Sequence, residues 1–166
     1  MNAKLTILVA LLTTACSSAG NTTGDEEILD EYEAAVLLVH ELADGYVAEI
    51  DGAADVAAVE PLQSGYQADM EGTMSDLEHA LEDIGGCEMM GGGMDRVDEA
   101  MGSLDAIRGS VEAMIAGHAD HEDVEDCHAA AEVHEGEVDL EVEAMEGHPN
   151  AWRDMGMDCG QGHDDG

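Results

Sequence analysis

The chain has almost no positive charge. Four lysines and arginines stand against 40 aspartates and glutamates among its 166 residues, and the formal net charge is −36 at pH 7. Such a surface repels phosphate backbones and anionic headgroups, which excludes nucleic acid as a partner. The acids are spread along the whole chain, and this favours a solvated surface suited to a salty medium over a surface that collects cations.

Aromatic side chains are nearly absent as well, since there is no phenylalanine and Trp152 is the only tryptophan. A core must therefore be built from methionine, leucine, valine and alanine, and methionine is a flexible gap-filler that suits such a core. Its thioether is also a soft ligand for Cu(I). Each of the 11 methionines thus has a packing interpretation and a metal-binding one.

Long apolar runs are lacking, which excludes a membrane-spanning helix in the finished protein. The first residues instead carry one positive charge, Lys4, then a short uncharged apolar run, Leu5 to Leu12, and small residues up to Cys16. This arrangement is typical of a secretory signal peptide that is removed after export.

The segment Leu12-Thr13-Thr14-Ala15-Cys16-Ser17-Ser18 resembles the bacterial lipobox. The resemblance implies that Cys16 becomes acylated, for example with palmitate, and anchors the protein to a membrane of the cell envelope. Ser17 after the cysteine implies the outer membrane, with the domain facing the periplasm or the cell surface. A soluble periplasmic protein with an ordinary thiol at Cys16 is the alternative. Residues beyond the lipobox resemble no named family.

Four amphipathic stripes follow, and each repeats at helical spacing. The first runs from a capping box at Thr23 and Glu26 to about Ile50, and the second starts at Pro61 as a first-turn proline. The third and fourth cover 94–118 and 124–145. Short connections make consecutive helices antiparallel, so we predict an all-α, up-down-up-down four-helix bundle. The predicted division is signal peptide 1–15, lipidated cysteine and flexible tether 16–24, bundle 25–147, and a Gly/Asp/Met-rich tail 148–166.

Two groups of side chains are candidate metal ligands. Counted along the helix axes, His40, Met74 and His134 come within about a turn of one another, so they could bind copper or serve as axial ligands of a b-type haem. Both histidines also lie at the edges of their stripes. Boundary histidines that point at water are therefore the favoured interpretation.

The second group gathers soft donors at one end of the predicted bundle and in the tail. It consists of Met89, Met90, Met155, Met157, Cys159 and His163. Thioether, thiolate and imidazole together select Cu(I). A rival interpretation pairs Cys87 with Cys159 in a disulfide, because cysteines oxidise outside the cytoplasm. That pairing leaves methionine and histidine but removes the thiolates.

No catalytic motif survives inspection, since the sequence has no zinc-protease helix, P-loop, calcium loop or nucleophile elbow. We therefore expect a non-enzymatic, membrane-anchored lipoprotein that binds a soft metal such as Cu(I). A metal-free envelope scaffold or partner-binding module is the alternative, and a b-type haem carrier comes third. The sequence does not identify a protein partner.

Overall fold

The computed structural model describes residues 24–118 and 121–160. It contains the helices α1 (Gly24–Asp51), α2 (Val56–Gly85), α3 (Gly93–Gly117), α4 (Val124–Glu146) and the short α5 (His148–Asp154). The first four pack together as a four-helix bundle, which confirms the all-α prediction. None of the helices in the described ranges is long and apolar enough to cross a bilayer.

The bundle forms because the predicted stripes bury each helix against two neighbours. Helices α1 and α3 both pack against α2 and α4, and α2 also touches α4 across the core. Methionine fills this core as the composition predicts, with Met70, Met74 and Met145 all buried. Their unbranched side chains take the place of the missing phenylalanines.

Helix α2 starts earlier than the sequence analysis predicts. Asp55 is its N-cap and accepts a hydrogen bond from the Ala58 amide at 3.0 Å. Pro61 therefore lies in the second turn, where its ring removes one hydrogen bond to the first turn. Residues 56–60, which the sequence analysis leaves outside the second helix, are thus the first part of α2, because the side chain of Asp55 satisfies an amide at the helix end.

The segment assigned to a tail is packed against the bundle as far as Gly160. Helix α5 turns back over one end of the bundle, and Trp152 is completely buried there. Glu88 and Asp158 exchange backbone hydrogen bonds of 2.8 and 2.9 Å, and Cys87 is joined to Cys159 by a disulfide. We call this part, residues 86–92 and 148–160, the corner.

Two of the few arginines link neighbouring helices. Arg153 on α5 pairs with Glu33 and Glu26 on α1, at 3.0 and 3.4 Å. Arg108 on α3 pairs with Glu78 on α2. In a chain with so many acids, these cations relieve repulsion at two helix contacts, although exposed pairs of this kind contribute only about 0–1 kcal/mol each.

Candidate metal centre

The structure does not bring His40, Met74 and His134 together into one site. His134 is buried, and its ring nitrogens contact Tyr66 Oη at 2.5 Å and Ser110 Oγ at 2.7 Å. His40 is half-exposed and contacts carboxylates on α1 and α4. Met74 is buried in the core. His40 pairs with Asp139, five residues after His134 on α4, and Met74 lies eight residues after Tyr66, the α2 partner of His134, so His134 is about 8–12 Å along the bundle from the other two. Both of its ring nitrogens are hydrogen-bonded, which leaves neither for a metal.

His40 instead belongs to a group of ligand atoms on the seam between α1 and α4. His40 Nδ1 donates to Asp139 Oδ1 at 2.9 Å, and His40 Nε2 lies 3.6 Å from Asp44 Oδ2. One ligand atom from each of these residues lies within 4.8 Å of the others. We call His40, Asp44 and Asp139 the seam cluster. It is the one such group of at least three histidine, cysteine or acidic residues in the described ranges.

A third carboxyl group adjoins the seam cluster. Burial, a hydrogen bond with Asp44 and the charges on Asp44 and Asp139 raise the pKa of Glu135. The hydrogen bond to Asp139, and then the charge on Asp44, raise the pKa of His40. Burial is the largest cause of the Glu135 shift, but the carboxylates contribute to both shifts, and a bound cation would neutralise the negative charge that α1 and α4 concentrate here.

The soft donors at the corner are divided between core and surface. Met157 is buried, and the disulfide removes Cys87 and Cys159 as thiolate ligands. Met90 is exposed, and its amide donates to the Met155 carbonyl at 3.3 Å. Met89 is half-buried against Gly93 at the start of α3. Three thioethers, those of Met89, Met90 and Met155, therefore remain accessible on two adjacent segments.

Two predicted residues lie outside the described ranges. These are the lipidation candidate Cys16, with the whole signal peptide and tether up to Thr23, and the ligand candidate His163. Nothing in the geometry bears on either of them.

The groove that the structure shows among the described residues does not suit a haem. An open groove of about 360 Å³ lies between α1 and the α4–α5 junction. Its lining includes Tyr32, Val36 and Pro149 but no histidine or methionine that could be an axial ligand. With both nitrogens of His134 occupied, the bundle offers no pair of axial ligands around this groove.

Comparison of the chain with known proteins identifies no relative. No protein-family model matches the chain, and no curated protein or solved structure matches it significantly. The seam cluster therefore stands on its geometry alone.

Sequence reasoning missed Asp44 and Asp139 as partners of His40. The signal was present, because Asp44 lies four residues after His40 on the same helix face. It was weak, because with 40 acids in the chain any histidine has acidic neighbours. Asp139 could not be selected at all without the register between α1 and α4.

Proposed function

We propose that the protein is a non-enzymatic, lipid-anchored bundle that binds a divalent transition-metal ion at the seam cluster. The observation that carries the proposal is the convergence of one imidazole and two carboxylates from two helices within 4.8 Å. Imidazole with carboxylate suits Zn(II) and Cu(II), and Cu(II) binds most tightly of the divalent first-row ions at such sites. Copper thus remains the favoured metal, in its oxidised form.

The three donors fit a metal site that closes on binding. Zinc lies about 2.0–2.2 Å from nitrogen and oxygen ligands and binds one ring nitrogen of a histidine. Asp139 and Asp44 now contact different ring nitrogens of His40, so one of the two carboxylates must move to the side of the nitrogen that binds the ion. All three side chains are partly exposed, so an ion can reach them from solvent. Glu135 beside them can accept a hydrogen bond from a metal-bound water.

The first prediction concerns the affinity for Cu(II) and Zn(II). The substitutions His40→Ala and Asp139→Asn should each weaken binding about 100-fold, equivalent to ~2.7 kcal/mol. Each removes one of three ligands, and the rest cannot complete the coordination. Isothermal titration of the purified protein against a chelator of known affinity measures the change.

His128→Ala is the matched control. His128 also lies on α4, but it has a single carboxylate nearby, Glu132, 3.8 Å from its Nδ1. If the seam cluster is the site, this variant keeps the full affinity. Equal losses in the two histidine variants would mean that the ion binds diffusely to the acidic surface, and the proposal would be abandoned.

A second candidate function is Cu(I) binding at the corner. The specific observation in its favour is the hydrogen bond that holds the backbones of Met90 and Met155 together, with Met89 next in sequence. Thioethers favour Cu(I) over the divalent ions. Because Cu(I) and Cu(II) prefer different donor sets, the corner and the seam cluster can be tested independently.

We expect the double substitution of Met90 and Met155 by leucine to weaken Cu(I) binding at least about tenfold, or ~1.4 kcal/mol. Leucine keeps the apolar volume and removes the sulfur. A colorimetric competition with a Cu(I) chelator under reductant measures it, and Met101→Leu on α3 is the control. If the double variant competes for Cu(I) as well as the unsubstituted protein does, the corner is not a Cu(I) site, and the seam cluster is the one remaining candidate metal site among the described residues.

The lipid anchor and the envelope location belong to the same proposal and rest on the lipobox resemblance at Cys16. A metal-free scaffold or partner-binding module remains the alternative, and binding of neither Cu(II), Zn(II) nor Cu(I) would favour it. The b-type haem carrier has the least support, because the groove has no axial ligand and His134 is fully hydrogen-bonded.

A further inference from the structure

A chain of hydrogen bonds leads from the core of the bundle to its surface and plays no part in metal binding. Tyr66 on α2 contacts Nε2 of His134 on α4 at 2.5 Å, and Nδ1 of His134 contacts Ser110 Oγ on α3 at 2.7 Å. Ser110 Oγ in turn donates to Glu137 Oε2 at 2.5 Å. Tyr66 and His134 are buried, whereas Glu137 is exposed.

The direction of each bond follows from the groups involved. Glu137 is a carboxylate and only accepts, so it takes the single hydroxyl proton of Ser110. Ser110 Oγ must then accept the Nδ1–H of His134, which leaves Nε2 as a bare acceptor for the Tyr66 hydroxyl. Burial lowers the pKa of His134 and raises that of Tyr66, so both groups are neutral in the folded protein.

This arrangement matters for oxidation because a phenol that loses an electron becomes a strong acid. Its proton must leave at once, and in an apolar interior it needs a base already in contact. Nε2 of His134 is such a base. The ring of Tyr46 stacks on Tyr66 at 4.4 Å and 13°, and can share the electron deficiency.

The other buried tyrosine away from this chain is a natural contrast. The hydroxyl of Tyr32 donates to the backbone carbonyl of Met145 at 3.2 Å. An amide carbonyl accepts a hydrogen bond but is far too weak a base to take the proton. Tyr32 is as deeply buried as Tyr66, so the contrast lies in the hydrogen-bond partner and in the ring neighbour, which is Trp152 for Tyr32 and Tyr46 for Tyr66.

We propose that Tyr66 is a proton-coupled electron donor with His134 as its base. An outer-sphere one-electron oxidant takes one electron from Tyr66, and the hydroxyl proton moves to Nε2 of His134. The products are a neutral phenoxyl radical, an imidazolium ion and the oxidant reduced by one electron. Ser110 and Glu137 orient the imidazole, and the carboxylate stabilises its positive charge. Return of one electron from a one-electron reductant brings the proton back to Tyr66.

The test uses the whole protein and photogenerated tris(bipyridine)ruthenium(III) as the oxidant. Transient absorption gives the rate of radical formation, and electron paramagnetic resonance distinguishes tyrosyl from tryptophanyl radicals. We expect a tyrosyl signal that falls about tenfold in Tyr66→Phe and stays unchanged in Tyr32→Phe. His134→Gln should slow the oxidation at least about tenfold, or ~1.4 kcal/mol of barrier, because an amide cannot take the proton.

A measurement on the unsubstituted protein guards against a variant that fails to fold. If the proton moves with the electron, oxidation is slower in deuterium oxide, and this isotope effect disappears in His134→Gln. A radical confined to Trp152, equal yields in the Tyr66 and Tyr32 variants, or the absence of an isotope effect in the unsubstituted protein would each overturn the proposal.

Discussion

Replacing Trp152 by alanine is expected to lower the free energy of unfolding by about 3–5 kcal/mol, the usual cost of removing a buried tryptophan. Trp152 is completely buried and meets Tyr32 edge to face at 5.1 Å. Its indole N–H donates to the Gly93 carbonyl at 3.3 Å, at the start of α3. The substitution would therefore leave a cavity where α5 meets α1 and α3. Urea denaturation followed by circular dichroism measures the loss.

Trp152→Phe separates the packing of the ring from its hydrogen bond. It keeps most of the buried area and removes the N–H, so the expected loss is smaller, about 1–2 kcal/mol. Leu140→Ala is a surface control, because Leu140 is largely exposed on α4, and it should stay within about 0.5 kcal/mol of the unsubstituted protein. A loss below about 1 kcal/mol for Trp152→Ala would mean that the corner is not docked in solution.

The four long helices could be predicted because each has a sustained apolar stripe. Tyr32, Val36, Val39 and Tyr46 recur at helical spacing in α1, and all of them are buried. The start of α2 was missed because Pro61 is a strong signal for a first turn and outweighed Asp55, an equally valid N-cap. An apolar stripe at helical spacing predicts the presence of a helix well, but it does not fix the residue at which the helix begins.

The docking of α5 was missed for a compositional reason. Glycine and aspartate dominate the sequence from residue 150 onward, and such composition is typical of a loose tail. The contrary signals were Pro149, which suits the first turn of a helix, and the single tryptophan three residues later. A lone large aromatic side chain in a chain with so few is more informative than the residues around it, because burying it contributes more than burying any other side chain.

The candidate metal ligands His40, Met74 and His134 differ from the prediction in height along the bundle as well as in their partners. Residue number gives the height of a side chain only when the offset between the packed helices is known, and His40 lies level with Asp139, five residues along α4 from His134. The neighbours that a side chain faces also depend on how the packed helices are offset and rotated. In the structure His134 contacts Tyr66 and Ser110, and His40 contacts Asp139. A sequence alone does not contain the pairing of α1 with α4, so neither the seam cluster nor the hydrogen-bond chain could be derived from it.

Removing the disulfide is the second substitution with a large expected effect. The cross-link joins residues 72 positions apart, and the loop-entropy relation for such a separation gives about 4 kcal/mol of stabilisation. We therefore expect the double variant Cys87→Ser/Cys159→Ser to lose up to about 4 kcal/mol of unfolding free energy. Cys127→Ser, at a buried free cysteine, controls for simple loss of a thiol.

The fluorescence of Trp152 distinguishes two ways in which this loss can occur, since it is the only tryptophan and lies in the corner. If the disulfide acts only by restricting the unfolded chain, fluorescence and circular dichroism report the same urea midpoint in the double variant. If it also holds the corner on the bundle, the fluorescence transition comes first, because the burial of Trp152, the Glu88–Asp158 pairing and the Arg153 ion pairs then hold the corner without a covalent link. A double variant with the same free energy of unfolding as the unsubstituted protein would contradict both explanations of the disulfide's effect. Only the second result makes the accessible thioethers of Met90 and Met155 sensitive to redox state, because their segments would separate when the disulfide is reduced.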